Sequence, residues 1–299
     1  MPQTKMTSAK IIDGRQIARA IEENVAGEVR DLTAAGVYPH LVTIRIGDDP
    51  ATEVYVRNQR RLFKSLGIRY NHLQLDAETS EEGLLSHIRA FNDNPTITGI
   101  MLTLPLPDGI SPIRVQEAIK PEKDVEGVGP FNLGNLIYNR DGVGPCSALA
   151  VLEAIRSTGQ KVEGARAVIV GHSDIVGKPV TLCLLRDLAT TTTCHVATRE
   201  LKKETRRADI LVVAVGKPGL ITADMVKDGA VVIDVGITEV AVESAAGGKK
   251  RHILGDVDFE AVKDKATWIT PVPGGIGPIT VAMLARNTVL CTRRQAGSK

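Results

Sequence analysis

Val168-Ile169-Val170-Gly171-His172-Ser173-Asp174-Ile175-Val176-Gly177-Lys178-Pro179 decides the fold class. Ala167–Val170 is a continuous apolar run rich in β-branched residues, the pattern of a strand covered on both faces. A glycine turn follows, and then a helical stretch from Gly177 to Leu188. Backbone N–H groups in such a turn, with the helix N-terminus behind them, can hold a pyrophosphate. The spacing G-x-S-x-x-x-G is one residue longer than the usual dinucleotide fingerprint, and alone it also describes a plain strand–helix turn. Its surroundings favour the dinucleotide reading. Thr191–Val196 reads as the next strand, Leu201–Arg207 as a short helix, and Ile210–Val215 and Val231–Val235 as two further buried strands. This alternation predicts right-handed crossovers and a doubly wound parallel sheet. Val215-Gly216 and Gly236-Ile237 put glycines at the carboxyl ends of two more strands, the edge where open α/β sheets bind ligands.

The first half alternates in the same way. Ile17–Thr33 predicts a helix, Leu41–Ile46 a strand, and Pro50 to about Leu66 a helix with Pro50 at its first position. A strand near His72–Leu75, a helix over Ser80–Phe91 and a short strand over Gly99–Leu104 follow. Residues Ile119–Gly144, rich in Gly, Pro and Asn, read as loop, and a loop of that length is usually functional or a linker. Thr270–Thr280 holds three Pro and three Gly ahead of a final helix, Ile279–Cys291. Such a backbone can approach a ligand closely.

Composition narrows the function. The 299 residues carry 37 basic and 35 acidic side chains, a formal charge of +2, which gives no support to a nucleic-acid-binding or membrane surface. The longest apolar run, about Ile210 to Val215, is far short of a membrane span, and the first ten residues have no apolar signal core. Cys146, Cys183, Cys194 and Cys291 lack metal-ligand spacing, so no metal site or disulfide framework is expected. The chain reads as soluble, reduced and cytoplasmic. With only nine aromatic residues, its cores must be built from Val, Ile, Leu and Ala.

Tyr55 and Gln59 share a helix face, being four residues apart; spacing alone makes them no more than a core-facing stripe. Other segments say more when taken together: Ile12-Asp13-Gly14, Gly47-Asp48-Asp49-Pro50-Ala51 with Tyr55-Val56, Leu104-Pro105-Leu106-Pro107, Pro121-Glu122-Lys123-Asp124-Val125-Glu126-Gly127, Gly144-Pro145-Cys146, Gly171–Pro179, Cys194-His195, Ala208-Asp209 and Pro271–Thr280. This set, spread over nearly the whole chain, resembles the methylenetetrahydrofolate dehydrogenase/cyclohydrolase family. The resemblance implies a folate-binding catalytic α/β domain (1–148 and 278–299) and a Rossmann-like dinucleotide-binding domain (149–277), with a cleft between them. It implies oxidation of 5,10-methylenetetrahydrofolate by NADP, hydrolysis of the methenyl product to 10-formyltetrahydrofolate in many members, and a homodimer. Carried onto this sequence, the catalytic positions are Tyr55, Gln59, Thr103 and Glu126, and the folate contacts are Tyr55, Glu126, Pro273, Gly274 and Gly275. The cofactor contacts are Gly171, His172, Ser173, Ile175, Val196, Val215, Gly216, Ile237, Gly277 and Thr280.

Three positions depart from the family pattern. Gln59 stands where the family has Lys, Thr103 where it has Gln, and Glu126 where it has Asp. Hydride transfer needs alignment more than proton chemistry, whereas hydrolysis needs a group that moves protons, which a neutral amide cannot do. The expectation is a dehydrogenase with weak or absent cyclohydrolase activity. The full bifunctional enzyme and a non-catalytic dinucleotide- or folate-binding paralogue are the alternatives. The cofactor pattern departs too: His172 stands in place of Arg and Val196 in place of Ser. Valine cannot hydrogen-bond a 2′-phosphate, and imidazole is a weaker cation than guanidinium. Lys178, Arg199 and Lys202 are near in sequence as substitutes. Family habit favours NADP, and the local residues leave NAD open.

Overall fold

The computed structural model describes residues 8–48, 50–243 and 249–297. In chain order its first elements are β1 (Lys10–Ile11), α1 (Gly14–Ala34), β2 (His40–Ile46), α2 (Pro50–Ser65), β3 (Arg69–Leu75), α3 (Glu81–Asp93), β4 (Gly99–Leu102), α4 (Pro112–Ala118), α5 (Pro130–Ile137) and α6 (Cys146–Ser157). There follow β5 (Arg166–Val170), α7 (Gly177–Arg186), β6 (Thr190–Cys194), α8 (Leu201–Thr205), β7 (Ile210–Val213) and β8 (Val231–Asp234). Last come β9 (Thr238–Glu243), β10 (Lys249–Leu254), α9 (Phe259–Val262), β11 (Trp268–Ile269) and α10 (Ile276–Gly297). The chain forms two compact units, Met1–Ala18 with Ser147–Thr280 and Arg19–Cys146 with Val281–Lys299.

The first unit is built on a six-stranded sheet in the order β1-β11-β8-β7-β5-β6, with every pairing parallel. Chain order runs outward in both directions from β5, to β6 on one side and β7 on the other. This reversal is the topological switch point of a Rossmann-like sheet, and ligands bind outside the carboxyl ends of the strands there. β5, β7 and β8 are buried along almost their whole length, as their Val/Ile-rich sequences require. The assignment of the N-terminal segment differs from the sequence expectation. Ile11 pairs with Ile269, and Ile12 N–H donates to the Ile269 carbonyl at 2.9 Å. The opening residues are thus the edge of this sheet, through a long-range pairing of two residues that no local pattern announces.

The second unit carries a three-stranded parallel sheet, β3-β2-β4. Alternation along β2 separates its faces. Val42, Ile44 and Ile46 join a core with Leu84, Leu85, Ile88 and Val115 from α3 and α4. Leu41 and Thr43, in register with Tyr70, His72 and Met101, make up the opposite face, which α2 covers. Helix α3 begins at Ser80, whose hydroxyl accepts the Gly83 N–H at 3.2 Å. It ends where the buried Lys123 ammonium donates to the carbonyls of Phe91, Asn92 and Asn94 at 2.8–2.9 Å. The last helix is fastened to this unit: Gln295 donates to the carbonyls of Thr98 and Glu122 at 2.8 and 2.9 Å.

The stretch 119–144 is not all loop. Pro130 opens α5 at its first position, Asn132 ties it back to Asp124, and Leu136 buries its apolar side. Strand β6 stops at Cys194, so Val196 lies beyond it, and α10 starts at Ile276 rather than Ile279. No helix among the described residues is long and apolar enough to cross a membrane.

Candidate functional site

In the second unit, Gln59 is fully buried between α2 and the sheet. Its Nε2 donates to Met101 Sδ at 3.3 Å, and its Oε1 accepts the Tyr70 hydroxyl at 3.1 Å. The Tyr70 ring also packs on Phe63, with centroids 5.6 Å apart. Gln59 is therefore a neutral amide with both ends engaged. Thr103 is buried just past β4, and its N–H and hydroxyl both donate to the Ile44 carbonyl, at 2.9 and 3.2 Å. Tyr55 lies on α2 one turn before Gln59, and its side chain falls outside the described residues.

Glu126 sits on a loop with a rigid frame. Asp124 Oδ1 accepts the Gly127 N–H at 3.0 Å, while Oδ2 accepts the Gly129 N–H at 2.8 Å and the Asn132 amide at 2.9 Å. From α10, Asn287 Nδ2 donates to the carbonyls of Val125 and Gly144 at 2.8 and 2.9 Å and approaches Cys146 Sγ at 3.3 Å. Glu126 itself is half-buried. Burial and then the neighbouring Asp124 carboxylate push its carboxyl up to about 8, against the pull of the Leu102 N–H. Burial pushes the adjacent Cys146 thiol well up, with Glu126 and Asp124 adding to it, so this sulfur is an inert core group and not a nucleophile. Tyr70, Met101 and Asn287 were not singled out from the sequence, and Asp124 was quoted there only within its motif. The period-two pattern of β3 would have put Tyr70 on the face of Thr43.

In the first unit, the predicted cofactor residues gather along the carboxyl edge of the six-stranded sheet. Gly171 follows β5 with φ 128°, and a Cβ there would lie 2.2 Å from the Ala214 carbonyl oxygen just beyond β7. Only glycine lets the two loops meet at the switch point. Ser173 Oγ accepts the N–H groups of Val176 and Gly177 at 3.2 and 3.4 Å, bracing the turn that leads into α7. The rings of His172 and His195 lie 5.3 Å apart, and His195 Nδ1 accepts the Ala197 N–H. Ile175, Val196, Val215 and Ile237 are all exposed, Val196 to 98%. Four apolar side chains turned outward along one sheet edge suit the flat rings of a dinucleotide. Of the expected substitute cations, Lys178 is paired with Asp174 and Lys202 with Asp224.

Gly277 lies in the first turn of α10 with Ile237 Cδ1 3.9 Å from where its Cβ would be, and Thr280 donates to the Ile276 carbonyl at 3.2 Å. Pro273, Gly274 and Gly275 form the turn before this helix, where the Gly274 carbonyl accepts the Gly14 N–H at 3.0 Å. The other expected folate contacts, Tyr55 and Glu126, belong to the second unit. Asp234 and Asp256, also missed from sequence, are buried beneath the sheet edge. Burial raises the Asp234 carboxyl to about 6, opposed by the N–H groups of Val257, Asp256 and Gly236.

Two family models match this chain. Residues 12–126 match the tetrahydrofolate dehydrogenase/cyclohydrolase catalytic domain, and residues 145–296 match the NAD(P)-binding domain of the same family. A Moorella thermoacetica protein named Bifunctional protein FolD is 48% identical over 286 residues, which cover 96% of this chain and 99% of that protein. Its Bacillus subtilis namesake is 45% identical over 287 residues, with the same two coverages of 96% and 99%. Among solved structures, the Trypanosoma brucei N5,N10-methylenetetrahydrofolate dehydrogenase-cyclohydrolase, complexed with NADP and an inhibitor, superposes with a TM-score of 0.92. It has 38% identity, over 97% of this chain and 99% of the other.

Proposed function

The chain belongs to the tetrahydrofolate dehydrogenase/cyclohydrolase family, and from that premise we propose that it oxidises 5,10-methylenetetrahydrofolate to the methenyl form with NADP as hydride acceptor and then hydrolyses the methenyl bridge to 10-formyltetrahydrofolate. The observation that carries this reading is the end-to-end similarity to relatives named as bifunctional, at 48% and 45% identity over 96% of the chain. The family relationship supports NADP, and a relative bound to NADP supports it further. The exposed apolar edge and the Gly171–Ser173 turn are where the dinucleotide would lie.

The residues divide the chemistry as follows. Hydride loss leaves positive charge on the one-carbon bridge, and that charge in turn favours the ionised form of Glu126. Hydrolysis then needs a group that takes a proton from water near neutral pH. The Glu126 carboxyl, at about 8, exchanges protons in that range; the Gln59 amide does not. Glu126 thus takes the proton-handling role for which Gln59 is unsuited, and Tyr55 keeps the folate-contact role that the resemblance implies. We read the protein as cytoplasmic, as its composition suggests, and as a homodimer, as the resemblance implies; sedimentation equilibrium checks the dimer.

A second reading has a specific observation behind it. Both ends of the buried Gln59 amide are engaged by Tyr70 and Met101, which favours a dehydrogenase whose second step is slow. A paired assay on one preparation separates the two: NADPH formation from methylenetetrahydrofolate, and loss of methenyl absorbance against the buffer rate. Methenyl hydrolysis no faster than buffer establishes the second reading. Absent hydride transfer by a folded sample that binds dinucleotide overturns both.

A further inference from the structure

Two triplets of the same composition flank the β9–β10 hairpin: Asp234-Val235-Gly236 before it and Gly255-Asp256-Val257 after it. They interlock. A Cβ on Gly236 would lie 2.2 Å from the Asp256 carboxyl carbon, and a Cβ on Gly255 would lie 2.0 Å from Asp234 Oδ2. Each glycine makes room for the other triplet's carboxylate, and both carboxylates are buried.

Among the described residues, their carboxylate oxygens accept only from backbone N–H groups. Asp256 Oδ2 accepts those of Val215 and Gly216 at 2.6 and 3.0 Å. Asp234 Oδ1 accepts those of Gly236 and Asp256 at 2.9 and 3.0 Å, and Oδ2 accepts that of Val257 at 2.9 Å. Strand β7 ends at Val213, so the N–H groups of Val215 and Gly216 lie past its end. Asp256 Oδ1 is buried and has no hydrogen-bond partner among the described residues. A carboxylate kept with one oxygen unsatisfied costs stability, which argues for a positional role beyond stabilisation. The backbone it grips carries Val215, and the backbone Asp234 grips leads into Ile237, two of the four exposed apolar residues at the sheet edge.

Resting on the dinucleotide reading given above, we propose that Asp256, backed by Asp234, is a positioning residue for the cofactor: the paired carboxylates hold Val215-Gly216 and Gly236-Ile237 in the places from which they grip the dinucleotide. Neither carboxylate touches the reacting atoms. Release of Val215-Gly216 also frees the Ala214 carbonyl against which Gly171 packs, so the switch-point turn loses its shape with the loop.

The experiment compares Asp256→Ala, Asp256→Asn and Gly236→Ala with the unaltered protein, measuring KM for NADP, KM for methylenetetrahydrofolate, kcat and Tm. Asp256→Ala is expected to raise KM for NADP at least tenfold, with kcat and the folate KM within about threefold. Asp256→Asn, whose amide oxygen still accepts both N–H groups, is expected to restore KM for NADP to within about threefold. Gly236→Ala, which forces a methyl group against the intact carboxyl, is expected to reproduce the Asp256→Ala effect. If Asp256→Ala does not fold, Gly236→Ala carries the test at reduced temperature. A fall in Tm or in folded yield with an unchanged NADP KM means that the pair only stabilises, and overturns the proposal. Equal losses from Asp256→Asn and Asp256→Ala overturn it too. Absence of dinucleotide turnover in the unaltered protein instead defeats the functional reading beneath it.

Discussion

Replacing Glu126 by Gln tests the electrostatics of the second unit directly. The fold holds this carboxyl at about 8 against an ordinary 4.5. Because the folded value is raised, the group stabilises the fold most when protonated, below about pH 4.5. That contribution is lost as pH rises through about 8. The full bias is about 5 kcal/mol, and since Glu126 keeps partial contact with water, a usable figure is roughly 2–3 kcal/mol. Gln keeps the acceptor oxygen that faces the Leu102 N–H but has no proton to lose. The Tm of Glu126→Gln should therefore match that of the unaltered protein near pH 5 and exceed it by roughly 5–10 °C at pH 8.5. Asp234, the other strongly raised carboxyl, sits at about 6 and is common to both proteins, so the difference between the curves isolates Glu126. Scanning calorimetry at half-unit steps from pH 5 to 9 reads it. Parallel curves, or a gap that closes as pH rises, would refute the assignment. The same variant should lose methenyl hydrolysis by about 100-fold or more if Glu126 handles the proton, and lose hydride transfer by less.

Other substitutions probe the remaining parts. Gln59→Lys puts an ammonium against Met101 and Tyr70; it should lower stability by about 1–3 kcal/mol and, if the second step is slow for want of a base, speed methenyl hydrolysis at least tenfold in a stopped-flow trace. Asn287→Ala strips one buried donor group from two carbonyls and should lower stability by about 2–3 kcal/mol in urea titration, with the pH dependence assigned to Glu126 shifting as its loop loosens. Val196→Ser adds a hydroxyl where the exposed valine offers none; the ratio of kcat/KM for NADP over NAD should rise at least threefold in paired initial-rate assays.

The parallel sheet of the first unit was legible because its strands are buried on both faces, so Ala167–Val170, Ile210–Val215 and Val231–Val235 stand out as continuous runs whatever their neighbours. Where burial stops, so does the signal: the expected ends at Val196 and Val215 overran because an exposed valine at a sheet edge reads like a buried one. Helix α5 was hidden by Gly134 and its asparagines, which lower local helix propensity; the bond from Asn132 to Asp124 and burial of Leu136 override that. Strand β1 is two residues long and means nothing until Ile269 is beside it. The candidate catalytic positions were legible only through the spacing of whole motifs. Local chemistry would have left Gln59 a core amide, which is also how Tyr70 and Met101 treat it. The role of Asp124, Asp234 and Asp256 was hidden for a different reason: an aspartate within three residues of a glycine looks like a solvated turn, and only the folded chain brings the N–H groups that it collects.

Those three aspartates solve one physical problem in both units. Loops that must approach a ligand closely are glycine-rich, and glycine loses the most conformational entropy on being fixed. Side-chain packing cannot hold such a loop, since it has few side chains to pack. A buried carboxylate can, because it accepts two or three backbone N–H groups at once through charge-assisted bonds. Asp124 collects Gly127 and Gly129, Asp256 collects Val215 and Gly216, and Asp234 collects Gly236. With the backbone path fixed in this way, the side chains along it are free to differ without altering the loop. Of the positions read from the sequence as departing from the family pattern, Glu126 lies on such a loop, beside the Gly127 that Asp124 holds, whereas Gln59 lies on α2 and Thr103 just past β4. The division also predicts how the two kinds of position respond to mutation. Changes at the departing side chains should alter rate, pH profile or cofactor preference in a protein that stays folded. Changes at Asp124 should lower stability and activity together, and reverting Gln59, Thr103 or Glu126 in the same chain should not rescue either. Rescue of an Asp124→Ala protein by any of those reversions would show that the frame and the chemistry are not separable.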